Sequence, residues 1–186
     1  MNLDNQIFSW FQSFVGKIIF VDWLAIFCAK YLIWIIVALC FAWWLELAKT
    51  RSSESWPYFG KRKWLEIGEL ILSITWAVII NQILSILHFK PRPFVVKNVN
   101  SLIDVPYSIK SFPSDHSTVV FALALTIFFY DRKMGSLLLF LSLLVGLSRV
   151  YVGVHYPIDV FIGALVGVVA ALLIRVIFLN TILKKK

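Results

Sequence analysis

Residues 134–179 read MGSLLLFLSLLVGLSRVYVGVHYPIDVFIGALVGVVAALLIRVIFL. Two apolar runs, from about Met134 to Tyr151 and from about Pro157 to Leu179, flank a short polar connection. Each is long enough for a membrane-crossing helix, which needs about 17–25 residues. The connection places Ser148, Arg149, His155 and Asp159 at the facing helix ends. Ionisable groups at such positions are costly unless they are paired or used. This stretch therefore predicts a helical membrane protein with polar chemistry gathered at one face.

The rest of the chain agrees. Of 186 residues, 60% are hydrophobic and only 15% charged, with a mean hydropathy of +0.85. A soluble globule of this size has too little interior for so much apolar side chain, and disorder is excluded by the same numbers. The length allows one domain over residues 1–186. Further spans are predicted from about Trp23 to Leu47, Trp64 to His88 and Ser114 to Tyr130, the last one short. Residues 1–21 mix Phe, Trp and Ile with polar residues at helical spacing, which predicts an interfacial helix. They lack the basic start and small-residue cleavage site of a signal peptide. The expected fold is all-α and integral to the membrane: five transmembrane helices plus an N-terminal interfacial helix.

Net charge is +8. In a soluble chain that would suggest nucleic acid, but here it is read as loop bias and contact with membrane lipids. Ten basic residues lie on one side: Lys49, Arg51, Lys61, Arg62, Lys63, Arg132, Lys133, Lys184, Lys185 and Lys186. Six lie on the other: Lys17, Lys90, Arg92, Lys97, Lys110 and Arg149. The richer side is expected to be cytoplasmic. Trp43, Trp44, Trp56, Trp64 and Tyr130 suit interfacial belts. Cys28 and Cys40, about 18 Å apart on one helix, cannot form a disulfide.

The outer side carries three polar clusters: Lys90-Pro91-Arg92-Pro93, Pro113-Ser114-Asp115-His116, and Ser148-Arg149 with His155 and Asp159. Ser114 or Asp115 suits a helix N-cap, and a helix N-terminus suits phosphate. Arg92 and Arg149 offer forked donors to phosphoryl oxygens. Asp159, one turn beyond His155, can hold one imidazole nitrogen protonated and free the other to attack. His116 can protonate a leaving oxygen. This is a set for phosphoryl transfer without a metal or other cofactor. A zinc site on the two histidines and the aspartate is the competing reading. Two fixed cations beside it argue against a dication.

These residues resemble the type 2 phosphatidic acid phosphatase superfamily, whose signatures are K-x6-R-P, P-S-G-H and S-R-x5-H-x3-D. The third is complete at Ser148, Arg149, His155 and Asp159. The second is present at residues 113–116 with Asp115 for Gly. The first ends at Arg92-Pro93, but Ser85 stands at its lysine position. Lys90 is the candidate replacement. P-R-P-F, F-P-S-D-H and S-R-x-x-V-G-x-H-Y-P-x-D-V are similar to the bacitracin-resistance branch of undecaprenyl pyrophosphate phosphatases. The resemblance implies hydrolysis of undecaprenyl diphosphate at the outer face of a bacterial plasma membrane. It implies a phosphohistidine on His155, Asp159 as its orienter and His116 as acid. Arg92, Ser114 and Arg149, with Asp115 and Lys90 beside them, are the implied phosphate-binding residues.

Other lipid phosphates remain open as substrates: phosphatidylglycerophosphate, phosphatidic acid or lipid A. So does a non-catalytic membrane scaffold, against which His116, His155 and Asp159 argue. No nucleic-acid partner is expected. Lys30, a charge inside a span, is either functional, snorkelling or paired with Asp22. Glu66 and Glu69 are expected to pair with Lys61, Arg62 or Lys63, and His88 to pack at the interface. Tyr107 and Phe112 are candidates for substrate contact. Gly153, Gly163 and Gly167 are expected at turns or close helix approaches.

Overall fold

The computed structural model describes residues 3–50, 58–97, 99, 101–105 and 110–183. Arg51, Trp56, Tyr107 and the tail of Lys184, Lys185 and Lys186 lie outside these, as do the side chains of Lys49, Lys61, Arg62 and Lys63. The described residues form helices α1 (Leu3–Gln12), α2 (Ile19–Lys30), α3 (Leu32–Thr50), α4 (Tyr58–Leu87), α5 (Pro93–Val96), α6 (Asp115–Phe128), α7 (Arg132–Tyr151) and α8 (Pro157–Leu183).

The apolar runs became helices whose outer faces stay apolar and exposed. Phe41 is 58% exposed, Ile86 82% and Phe140 58%, which water would penalise and lipid does not. By length and composition Trp64–Leu87, Arg132–Tyr151 and Pro157–Asn180 can each cross a bilayer. The first expected span departs from its reading. It begins at Ile19 rather than Trp23, and it is broken at Tyr31, where α2 and α3 meet at 52°. Neither Pro nor Gly sits at the break. Counted as one, this pair makes a fourth span. The expected third span is α6, whose 14 residues rise about 21 Å, less than the roughly 30 Å hydrocarbon core.

Helix α6 is central, with α4, α7 and α8 packed round it. Its small residues permit this: Ser117, Ala122 and Ala124 are buried. So do glycines on α8. A Cβ on Gly163 would lie 2.6 Å from the Ser114 carbonyl oxygen, and one on Gly167 2.4 Å from that of Thr118. Gly153, at φ +83°, turns the chain between α7 and α8. Cys28 on α2 and Cys40 on α3, on two helices rather than one, are buried free thiols in the core formed with α6 and α7.

The N-terminal helix is shorter than residues 1–21 and does more than lie on a surface. Phe8 is 1% exposed and packs with Val150 and Tyr156, and Gln12 donates to the Val150 and Tyr151 carbonyls. Helix α1 thus covers the ends of α7 and α8 that carry the third signature. At the opposite end Glu69, fully buried, binds Arg175 at 3.1 Å and accepts from the Tyr130 hydroxyl. The expected partner of Glu69 was in the 61–63 cluster. A cation on α8 reaches it instead because α4, α6 and α8 converge there.

Candidate active site

Chain segments far apart in sequence meet at one end of the bundle. A cavity of about 360 Å³ is lined by Lys30 of α2, Arg92, Asp104, Asp115 and His116 of α6, Arg149 of α7 and His155. Arg92 precedes the short helix α5, which Pro93 opens. Arg149 occupies the last turn of α7, and the Gly153 turn returns His155 towards it.

Both arginines are buried, Arg92 at 6% exposure and Arg149 at 4%. Arg92 Nε donates to the Lys110 carbonyl, and Arg149 Nη1 to the Ala29 carbonyl. Arg92 Nη1 and Arg149 Nε are buried without a partner. Orphan cationic donors are costly, and an anion satisfies them. Burial pulls Arg92 below its ordinary value, with Asp115 and then Asp159 working in the opposite sense.

His155 is 3% exposed. Its Nδ1 lies 2.8 Å from the Ser111 carbonyl oxygen. A carbonyl only accepts, so Nδ1 carries the proton and Nε2 keeps its lone pair. Burial, then the charges of Arg149 and Arg92, push His155 well below its ordinary value. A neutral imidazole with a free Nε2 is a nucleophile. His116, in the first turn of α6, lines the same cavity.

Several expected residues are placed differently. Among the described residues Asp159 makes no hydrogen bond to His155. Its Oδ2 accepts from the Ser111 hydroxyl at 2.5 Å and the Tyr156 amide at 2.9 Å. The expectation that Asp159 holds the imidazole directly is corrected: Ser111 stands between them. Lys90 is also corrected. Its ammonium lies 2.9 Å from Asp159 Oδ1 and 2.9 Å from Asp4 Oδ2, and it is absent from the arginine-lined cavity. Two carboxylates hold it elsewhere. Ser114 is the N-cap of α6, and its fully buried hydroxyl is engaged by Ser117. Asp115 lines the cavity, but its Oδ1 accepts from Asn81 at 2.6 Å. It is an anion facing an anion site, so its part there is to fix α6 to α4 rather than to ligate phosphate.

Two residues outside the expected catalytic and phosphate-binding set, Lys30 and Ser111, also stand at the site. Lys30 pairs with no acid among the described residues and stands at the cavity, while Asp22 binds the Tyr151 hydroxyl instead. The signal for Lys30 was present, an intramembrane charge. Ser111 gave none, because a loop serine has no periodicity. His88 packs edge-on against Phe112. Among the described residues no three His, Cys, Asp or Glu are grouped to hold a metal ion.

Comparison with known proteins shows the family and the fold. The PAP2 superfamily matches residues 66–182. The bacitracin transport permease protein BcrC of Bacillus licheniformis is 36% identical over 149 residues, 80% of this chain and 67% of that protein. Undecaprenyl-diphosphatase BcrC of Bacillus subtilis strain 168 is 34% identical over 154 residues, 82% of this chain and 72% of that protein. The crystal structure of Aquifex aeolicus LpxE superposes with a TM-score of 0.67 at 23% identity, covering 94% of this chain and 95% of that one. That likeness concerns the fold.

Proposed function

The chain belongs to the PAP2 superfamily, and from that premise we propose that it hydrolyses undecaprenyl diphosphate to undecaprenyl phosphate and phosphate. It is a multi-pass membrane phosphatase. The observation that carries the reading is the cavity shared by His155, His116 and two buried arginines with unpartnered donors. The substrate is supported by the relative named undecaprenyl-diphosphatase.

The terminal phosphoryl group binds between Arg92 and Arg149, near the positive N-terminus of α6. His155 Nε2 donates its lone pair to the terminal phosphorus. The bond from that phosphorus to the bridging oxygen breaks, and His116 gives its proton to the departing undecaprenyl phosphate. Water then attacks the phosphohistidine, His116 takes the water proton, and phosphate leaves with His155 restored. Lys30 supplies the cation that Ser85 lacks and meets the phosphate left on the lipid. The arginines supply the charge stabilisation of the transition state. Counting short α6 as the third gives five crossings, and the loop charges favour this end of the bundle lying outside. There it would recycle the carrier lipid left after wall-polymer synthesis. The polyprenyl tail stays in the bilayer while its diphosphate enters the cavity.

The test is phosphate release from a panel of lipids by purified protein. Preference for undecaprenyl diphosphate supports the reading. Preference for a glycerol phosphate lipid moves the substrate elsewhere in the superfamily.

A further inference from the structure

In this site the carboxylate that belongs to the third signature acts at one remove. Ser111 is 1% exposed and fixed at three points. Its amide donates to the Lys90 carbonyl at 2.7 Å, its hydroxyl donates to Asp159 Oδ2, and its own carbonyl receives the His155 Nδ1 proton. The Ser111 hydroxyl also lies 3.4 Å from Nδ1. Asp159, fully buried, is then held by the Lys90 ammonium.

That ammonium is itself caged. It sits 4.0 Å from the centre of the Tyr156 ring and is shared with Asp4 of α1. The other oxygen of Asp4 accepts from the Ile158 amide at 3.0 Å, in the first turn of α8. One aspartate from the N-terminal helix therefore ties Lys90 and the α8 N-terminus together, where it also suits the helix dipole.

We infer that Ser111 is the positioning residue through which Asp159 acts on His155, and that Lys90, anchored by Asp4 of α1, holds that relay in place. The inference rests on the reading of His155 as nucleophile. Its physical content is orientation. The ring is pinned by a backbone carbonyl, which fixes the tautomer, and the carbonyl is placed by the hydroxyl bond to Asp159. Removing the ammonium leaves a buried carboxylate without its bonded counter-charge and frees the bracket. A misplaced imidazole slows attack while leaving the arginines to bind phosphate, so the loss falls on kcat rather than KM.

The experiment is a double-mutant cycle on initial rates with Ser111→Ala, Asp159→Asn and the pair, alongside Lys90→Met and Lys90→Arg. Each protein is first shown to be folded in detergent by its thermal transition. Ser111→Ala and Asp159→Asn should each lower kcat on the order of 10-fold or more with KM little changed. The pair should be barely worse than either alone, because both break one relay. Lys90→Met should lower kcat and Lys90→Arg should restore most of it. Wild-type kcat in Ser111→Ala, or losses that multiply in the pair, would overturn the relay. If Ser111→Ala does not fold, equal activity of Lys90→Met and wild type overturns it as well. Failure of the nucleophile reading appears separately, as phosphate release that survives His155→Ala. If wild type ignores undecaprenyl diphosphate, the cycle is run on the lipid phosphate it does hydrolyse.

Discussion

In the proposed mechanism His155 is the residue on which the chemistry turns, and its environment sets its pH dependence. Burial and two guanidinium charges hold its protonation well below the ordinary histidine range. The neutral form attacks, so activity is lost as pH falls through the folded-state value, not at the ordinary value near 6.5. The acid limb of kcat/KM should therefore lie below pH 6.5. Arg92→Gln removes one of the depressing charges, so its acid limb should move to higher pH. A limb that stays put contradicts the assigned cause. Arg92→Lys keeps charge but loses the fork, and should cost about 10-fold or more in kcat/KM. Lys30→Met should raise KM for the diphosphate more than it lowers kcat. At this scale the third signature was legible because Ser148, Arg149, His155 and Asp159 fall at fixed spacing on adjoining helix ends. Lys30 was legible only as an intramembrane charge, and Ser111 and Asp4 were not legible, because their roles depend on which distant segments meet.

Among the elements, α6 and α8 carry the argument. Ser114 caps α6, and the Ser114 amide donates to the Asp159 carbonyl oxygen at 3.0 Å. The two signatures are thus bonded across the α6–α8 contact. Gly167→Ala would put a Cβ 2.4 Å from the Thr118 carbonyl oxygen. It should destabilise the fold by about 1–3 kcal/mol through overpacking. The check is thermal unfolding in detergent, where an unchanged transition would contradict so close a contact. The helix pattern itself was legible from apolar run length. The break at Tyr31 was not, since no Pro or Gly marks it, yet it delivers Lys30 to the cavity. The length of α6 was legible as well, because Tyr130 and the basic pair at 132–133 close its apolar run early.

For the whole molecule the open quantity is sidedness. The loop charges favour an outward site. Asp104 lines the cavity and is exposed, whereas Cys28 and Cys40 are buried. An Asp104→Cys protein should react with a membrane-impermeant maleimide added to intact cells. Labelling only after permeabilisation would place the site inside. The bundle was legible as a class from composition alone, because 60% hydrophobic residues in 186 leave no soluble solution. The arrangement that gathers α2, α6, α7 and the loop before α5 round one cavity follows from packing and not from any local pattern. The central claim is that this cavity transfers a phosphoryl group to His155. The most direct measurement is phosphate release from undecaprenyl diphosphate by purified wild type and His155→Ala, with EDTA present. The account predicts release by wild type and none by the variant. Release by both, or release by wild type that EDTA removes and zinc restores, would contradict it.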